Sequence, residues 1–275
     1  MQLNAKTKLC GIIGNPVEHS MSPAIHNAAF EKLNLNYAYL AFSVTDVAGA
    51  IHGMRALNIR GFSVTIPHKI EVMKYLDEID PVAQQIGAVN TVVNNNGYLM
   101  GYNTDWLGFV RSLENYTELA NKKVVILGAG GAARGIAFGL KQREAQLTIL
   151  NRAIEVEMAQ TLAKEVECDW GDLEYVEPIQ QAEVVVNTTS VGMSPLQDVT
   201  VIDPALLQSH QVVYDIVYNP LETRFLREAK ARGCRIAPGY EMLLLQGVAQ
   251  FELWTDKNAP VELMRDILVK RLSGE

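Results

Sequence analysis

Short apolar runs alternate with helix-period segments along most of this chain, and glycine, proline and asparagine punctuate them. Leu9 to Ile13 is an apolar strand that ends at Gly14-Asn15-Pro16. Ser22-Pro23 then predicts a helix start, with the serine as cap and proline at the first helical position. Tyr37 to Val44 is a second strand, residues 46–57 suit a helix, and Gly61 to Ile66 is a third strand that Pro67 ends. A helix is expected from His68 to about Leu76. Asn90 to Val93 and Tyr98 to Tyr102 flank Asn95-Asn96-Gly97, a hairpin signal, and Thr104 can cap a helix from Asp105 to about Asn115. Apolar periodicity is lost over the polar residues 117–122, which places a domain boundary there.

Beyond the boundary the pattern reads strand 123–127, helix 131–143, strand 146–150, helix 155–165, strands 183–187 and 212–216, a helix from Thr223 to Arg232, and strand 234–236. Regular alternation of this kind predicts a parallel sheet with right-handed crossovers. After Pro238-Gly239 the chain becomes wholly helical over 240–255 and 260–272. These helices add no strand, and their return to the first domain would make that domain discontinuous. The expected organisation is α/β, with 1–116 and 240–275 as one domain and 117–239 as the other.

Composition narrows the class. With 275 residues, 48% hydrophobic and 20% charged, the chain can bury a sizeable core as a globular enzyme. A net charge of -7 disfavours nucleic acid as a partner. Cys10, Cys168 and Cys234 have no metal spacing and cannot all pair, which suits reduced thiols in a cytoplasmic protein. The start, MQLNAKTK, lacks the apolar stretch of a signal peptide, and no run of apolar residues is long enough for a membrane span. The expected partner is a small-molecule substrate, with no nucleic acid and no membrane; monomer and homodimer both stay open.

The run GAGGAAR from Gly128 to Arg134 follows the apolar strand Val124-Val125-Ile126-Leu127. A buried strand, glycines and a small-residue helix start together cradle a pyrophosphate. Gly128 permits the tight turn, Gly130 lets backbone approach the phosphates, and Ala133 lets helix and strand pack closely. Free amides at the helix start then meet the anion. The next strand ends in Leu150-Asn151-Arg152, without the acid that would bind the ribose hydroxyls of NAD. Arg152 offers a guanidinium suited to a phosphate, its alternative being a solvated surface arginine, so the expected cofactor is NADP. Arg134 can assist or can be a plain exposed helix residue.

Polar residues gather at the carboxyl ends of the leading strands, the rim where open α/β sheets bind ligands. Ser20 and Ser22 follow the first strand, and Thr65, Pro67, His68 and Lys69 lie at the end of the third. Asn90 opens the hairpin and Asp105 closes Asn103-Thr104-Asp105. Ser22 can be a helix cap, Lys69 a solvated charge and Asp105 a first-turn helix acid. Facing one pocket, Lys69 and Asp105 would make a proton-transfer unit.

These segments occur with others in a fixed order: Gly14-Asn15-Pro16, His19-Ser20-Met21-Ser22-Pro23, Ser63 to Lys69, Gly87 to Thr91, Gly101 to Asp105, GAGGAAR, Asn151-Arg152, Asn187 to Met193 and Gly239 to Gln246. Across essentially its full length the chain resembles the shikimate dehydrogenase family. That resemblance implies a substrate-binding catalytic domain and a Rossmann-type NADP-binding domain. It implies interconversion of shikimate and 3-dehydroshikimate with NADP(H), in chorismate and aromatic amino acid biosynthesis. Lys69 and Asp105 become the catalytic pair, Ser20 and Ser22 the carboxylate ligands with Tyr218 nearby, and Thr65, Asn90, Asp105 and Gln246 the ring-hydroxyl ligands. Gly128, Ala129, Gly130, Gly131 and Ala132 become the phosphate turn, and Asn151 and Arg152 the adenosine-phosphate clamp. Thr188, Ser190, Ile216, Gly239 and Met242 complete the cofactor side, the last two beside the nicotinamide. The nearest alternative is a quinate/shikimate dehydrogenase using NAD or NADP.

Two positions depart from the family pattern. Residue 63 is Ser where Asn is common, and the run after Arg152 is Ala153-Ile154-Glu155-Val156-Glu157, where the family often has Thr and a further basic residue. One phosphate donor is replaced by two acids, which bears directly on the preference for NADP.

Overall fold

The computed structural model describes residues 3–274, which divide into two compact α/β units. One comprises the chain up to Thr104 and again from Gln246, and the other is Asp105–Leu245.

In the first unit, strands β1 (Lys8–Gly14), β2 (Tyr37–Ser43), β3 (Gly61–Val64), β4 (Glu78–Ile79), β5 (Thr91–Asn95) and β6 (Tyr98–Tyr102) form one sheet in the order β2-β1-β3-β5-β6-β4. β1 is parallel to both β2 and β3, and β5 is antiparallel to β3 and β6. Helices α1 (Ser22–Lys32) and α2 (Val47–Ala56) are the crossovers between the parallel strands. The hairpin turns through Asn96 and Gly97 at φ 54° and 95°, so its backbone twist matches that of the flanking strands.

Three local expectations change. Only a short 3-10 turn, Glu71–Tyr75, forms where a helix from His68 was expected, because His68 N already bonds back to Thr65 O at 2.9 Å in the turn after the third strand. Ser22 does not cap α1. Met21 holds the cap position without a side-chain bond, and Ser22 is the first helical residue, buried. Finally, α3 (Pro81–Ile86) forms in a stretch to which the sequence pattern assigns no element. Its signals are present: Asp80 accepts from the amides of Val82 and Ala83, Pro81 begins the helix, and Gly87 ends it at φ 73°.

The second unit begins with α4 (Asp105–Glu114). Strands β7 (Lys123–Leu127), β8 (Gln146–Asn151), β9 (Asp169–Asp172), β10 (Val184–Asn187), β11 (Val212–Asp215) and β12 (Arg235–Pro238) form a wholly parallel sheet in the order β12-β11-β10-β7-β8-β9. Helices α5 (Gly131–Lys141), α6 (Val156–Val166), α7 (Val176–Gln181) and α8 (Arg224–Ala231) serve as crossovers. Val124 and Ile126 face one core while Val125 and Leu127 face another, so both faces of the sheet are covered. The strand order reverses between β7 and β10, and the carboxyl ends at that reversal are where doubly wound sheets take nucleotides.

The polar stretch at 117–122 suggested a boundary near residue 116, but the division falls before α4. Phe109, Val110 and Leu113 on α4 share a core with Val124, Ile136 and Leu140, and Trp106 lies within 3.1 Å of a Cβ built on Gly139. The apolar face of α4 thus binds it to α5. The second division falls inside α9 (Tyr240–Thr255), between Leu245 and Gln246. Beyond it Phe251 and Trp254 are fully buried with Phe30 and Tyr39, and α10 (Val261–Ser273) packs on α1.

Candidate active site

A directed chain of hydrogen bonds underlies the polar rim of the first unit. The Tyr39 hydroxyl donates to Ser63 Oγ at 2.6 Å, and Ser63 Oγ donates to Gln250 Oε1 at 2.7 Å. Gln250 Nε2 donates to Thr91 Oγ1 at 3.0 Å, and Thr91 Oγ1 donates to Asn90 Oδ1 at 2.8 Å. Asn90 Oδ1 also accepts from Thr104 N at 2.7 Å, while Asn90 Nδ2 donates to Thr104 Oγ1 at 3.0 Å. Every member of this chain is buried, so each bond satisfies a group that would otherwise be costly to desolvate. Burial pushes the Tyr39 phenol well above its ordinary pKa, which keeps it a donor, and its hydroxyl also meets Ser22. The structure therefore fixes two expected substrate residues, Ser22 and Asn90, through Tyr39, Ser63, Gln250 and Thr91. None of those four was singled out as a site residue in the sequence. Ser63, where the family commonly has Asn, is a working link: its one hydroxyl accepts from tyrosine and donates to glutamine.

Lys69 is positioned by backbone. Thr65 N donates to Ile13 O at 3.0 Å, Asn15 N donates to Ile66 O at 3.0 Å, and Val89 N donates to Lys69 O at 2.8 Å. His68 is buried, with Nε2 2.7 Å from Val44 O. The turn after β3 is thus tied to β1 and to the segment that carries Asn90. A Cβ on Gly14 would lie 2.3 Å from Thr65 Cγ2, so glycine there lets Thr65 reach the rim. Asp105 follows Thr104 directly and is the first residue of α4. Gln246 is buried near the point where α9 enters the first unit, whereas Ser20 is half-buried and Tyr218 exposed.

The glycine turn of the second unit fits a dinucleotide. Gly128 has φ 107°, and a Cβ there would lie 2.8 Å from Thr189 Cγ2 and 2.9 Å from Thr188 Oγ1. Gly128 N donates to Leu150 O at 2.7 Å, and Thr188 Oγ1 donates to Leu127 O at 2.8 Å, which fastens the turn at the reversal of strand order. Gly130 caps α5 with no side-chain bond, and a Cβ on Gly130 or Gly131 would meet nothing within 4 Å. Open space in front of helix-start amides is what an anionic pyrophosphate requires. Ala133 is fully buried and Ala132 exposed, so the first packs the helix while the second lines the turn. Arg134 pairs with Glu165 and lies over the Phe138 ring at 5.2 Å, which favours its reading as a helix-surface residue.

One buried acid went unread in the sequence. Asp215, at the end of β11, is fully buried and accepts from Asn187 Nδ2 at 2.9 Å, Val217 N at 3.0 Å and Thr223 Oγ1 at 2.6 Å. It knots together the segments that carry Thr188, Ile216 and Tyr218. Burial raises its pKa from 3.8 to about 6, against the lowering effect of those three donors. A raised carboxyl contributes stability that is complete below pH 3.8 and lost as pH rises through about 6. The size of the loss is roughly 3 kcal/mol. Asp215→Asn should therefore gain on the parent by about that amount between pH 4 and pH 7, read as the difference between urea midpoints at the two pH values. A difference independent of pH would show that the carboxyl does not titrate there.

Among the described residues no group of three His, Cys, Asp or Glu side chains is placed to hold a metal ion, and no helix is long and apolar enough to cross a membrane. All three cysteines are free.

A doubly wound sheet with an open glycine turn, in a chain that also carries a mixed sheet with a buried polar rim, defines a two-unit α/β dinucleotide-binding enzyme. Comparison with known proteins fixes the kind. Residues 12–92 match the shikimate dehydrogenase substrate binding domain, 111–217 match shikimate / quinate 5-dehydrogenase, and 239–269 match the shikimate 5'-dehydrogenase C-terminal domain. The NADP(+) shikimate dehydrogenase of Moorella thermoacetica is 48% identical over 98% of this chain and 95% of that protein. A crystal structure of a shikimate dehydrogenase in complex with NADP+ superimposes with a TM-score of 0.93 at 43% identity, covering 98% of each chain. That of Listeria monocytogenes shikimate 5-dehydrogenase with shikimate and NAD also gives 0.93, at 37% identity and 98% of each chain. The chain belongs to the shikimate dehydrogenase family.

Proposed function

We infer that this chain is an NADP-dependent shikimate dehydrogenase, a biosynthetic enzyme of the cytoplasm that interconverts shikimate and 3-dehydroshikimate. The observation that carries this reading is the coexistence of the Asn90-centred hydrogen-bond chain with the open helix start at Gly130 and Gly131, in a chain that aligns over 98% of its length with an NADP(+) shikimate dehydrogenase.

Shikimate offers a carboxylate and ring hydroxyls, one of which is oxidised. Ser20 and Ser22 bind the carboxylate by hydroxyl hydrogen bonds, with Tyr218 nearby. Thr65, Asn90, Asp105 and Gln246 bind the ring hydroxyls. Lys69 Nζ hydrogen-bonds the reacting oxygen, takes its proton on oxidation and returns it on reduction. Asp105 serves as the partner carboxylate of this proton transfer. NADP+, when bound, supplies the hydride chemistry. Gly128, Ala129, Gly130, Gly131 and Ala132 hold its pyrophosphate, and Asn151 and Arg152 hold the adenosine phosphate. Thr188, Ser190, Ile216, Gly239 and Met242 line the remainder.

A spectrophotometric assay of shikimate and quinate against NADP+ and NAD+ tests the reading. The expected result is the highest kcat/KM for shikimate with NADP+. A higher value for quinate with NAD+ would replace the reading with that of a quinate/shikimate dehydrogenase.

A further inference from the structure

The arginine expected to hold the adenosine phosphate is already engaged by a carboxylate. Arg152 leaves β8 directly after Asn151, and its Nη2 and Nε lie 2.7 and 3.3 Å from the same oxygen of Glu155. The backbone sets this pairing. Glu155 N donates to Arg152 O at 2.8 Å, and Asn151 Nδ2 donates to Glu155 O at 2.9 Å, so the 3-10 turn Ala153–Glu155 carries the carboxylate back over the guanidinium. No other arginine or lysine occurs before Lys164, while Glu157 stands in the first turn of α6 and Asp172 pairs in register with Asn151 across β8 and β9. The nearby Arg134 is directed to Glu165. Arg152 is thus the one basic residue between Asn151 and Lys164, with Glu155 and Glu157 directly behind it in the chain.

We propose that Glu155 is a specificity-determining residue for the cofactor: its carboxylate competes with the 2′-phosphate of NADP for Arg152. This rests on the functional reading above. A 2′-phosphate takes the Nε–Nη2 edge of the guanidinium only by displacing Glu155, and at any other edge it meets the repulsion of the carboxylate held beside it. NAD, which has a ribose hydroxyl there, leaves the pair intact. Glu155 thus lowers affinity for NADP while leaving that for NAD untouched, and narrows the ratio between the two. The pair is exposed, so its own strength is modest; the repulsion of a doubly charged group adds to it.

Isothermal titration of the full chain with NADP+ and with NAD+ tests this without turnover. Glu155→Gln keeps the size and the turn but removes the charge. The dissociation constant for NADP+ should fall three- to tenfold, that for NAD+ should stay within twofold, and the difference from the parent should shrink as salt is raised. An unchanged NADP+ constant, or equal changes for both nucleotides, overturns the proposal. Arg152→Ala separates this failure from that of the clamp itself. Loss of the preference for NADP+ supports the clamp, and an unaltered NADP+ constant removes both the clamp and the competition. A parent chain that binds neither nucleotide overturns the functional reading instead.

Discussion

Replacing Lys69 with alanine should lower kcat by about 10²–10⁴, the usual worth of a positioned proton carrier, while the dissociation constant for shikimate stays within about tenfold. The expectation follows from how Lys69 is held. Its carbonyl accepts from Val89 N, and the turn before it is tied to Ile13 and Asn15 through backbone bonds. None of these involves the side chain, so truncation at Cβ leaves the turn standing. The chain from Tyr39 through Ser63, Gln250 and Thr91 to Asn90 does not pass through Lys69 either, so Asn90 keeps its place. A tenfold change in affinity is about 1.4 kcal/mol, the scale of one lost exposed or half-exposed hydrogen bond. Pre-steady-state turnover together with calorimetric shikimate binding checks both halves. An alanine variant with full activity would dismiss Lys69 as the proton carrier, and one that loses binding a hundredfold would make it a substrate anchor instead.

What could be read from the sequence, and what could not, divides by range. The doubly wound sheet was legible because its strands are buried on both faces and appear as unbroken apolar runs, such as Val124 to Leu127 and Val184 to Val186. The glycine turn was legible because its chemistry is local: strand, glycines and helix start lie within a dozen residues. β4 was not legible because two residues carry no period, and β9 was missed because its four residues are all exposed or half-buried. Ser22 was misread as a cap because a cap and a buried first-turn serine look alike until the helix start is fixed. The polar chain beneath Asn90 was invisible for a different reason. Ser63 and Gln250 are 187 residues apart, and nothing in either neighbourhood announces the other. Asp215 likewise reads as the end of a strand until Thr223 and Asn187 are seen to close on it. The resemblance to a family supplied residue roles, but the residues that hold those residues in place came only from the fold.

Gly239→Ala should cost the protein about 3 kcal/mol or more and lower its melting temperature by roughly 6–12 °C, whereas Gly130→Ala should leave stability within about 1 kcal/mol and weaken NADP+ binding. Both glycines belong to the expected cofactor lining, yet their surroundings are opposite. A Cβ on Gly239 would lie 2.4 Å from Ile216 O, 2.5 Å from Ile216 C and 2.6 Å from Asp215 O. All three are backbone atoms, so no side-chain rotation relieves the overlap. Either β12 withdraws from β11, where Pro238 pairs with Asp215, or the 215–217 backbone moves and takes the Asp215 knot with it. Gly130 has an ordinary φ of -82° and nothing within 4 Å of its built Cβ, so a methyl group strains no backbone and strikes no neighbour. It would, however, occupy the space before the α5 amides that the pyrophosphate needs. Thermal melts and NADP+ titration of the two variants therefore separate a glycine required by the fold from one required by the ligand. If Gly130→Ala binds NADP+ as tightly as the parent, the phosphates do not approach the chain at that turn, and the cofactor assignment of Gly128 to Ala132 falls with it.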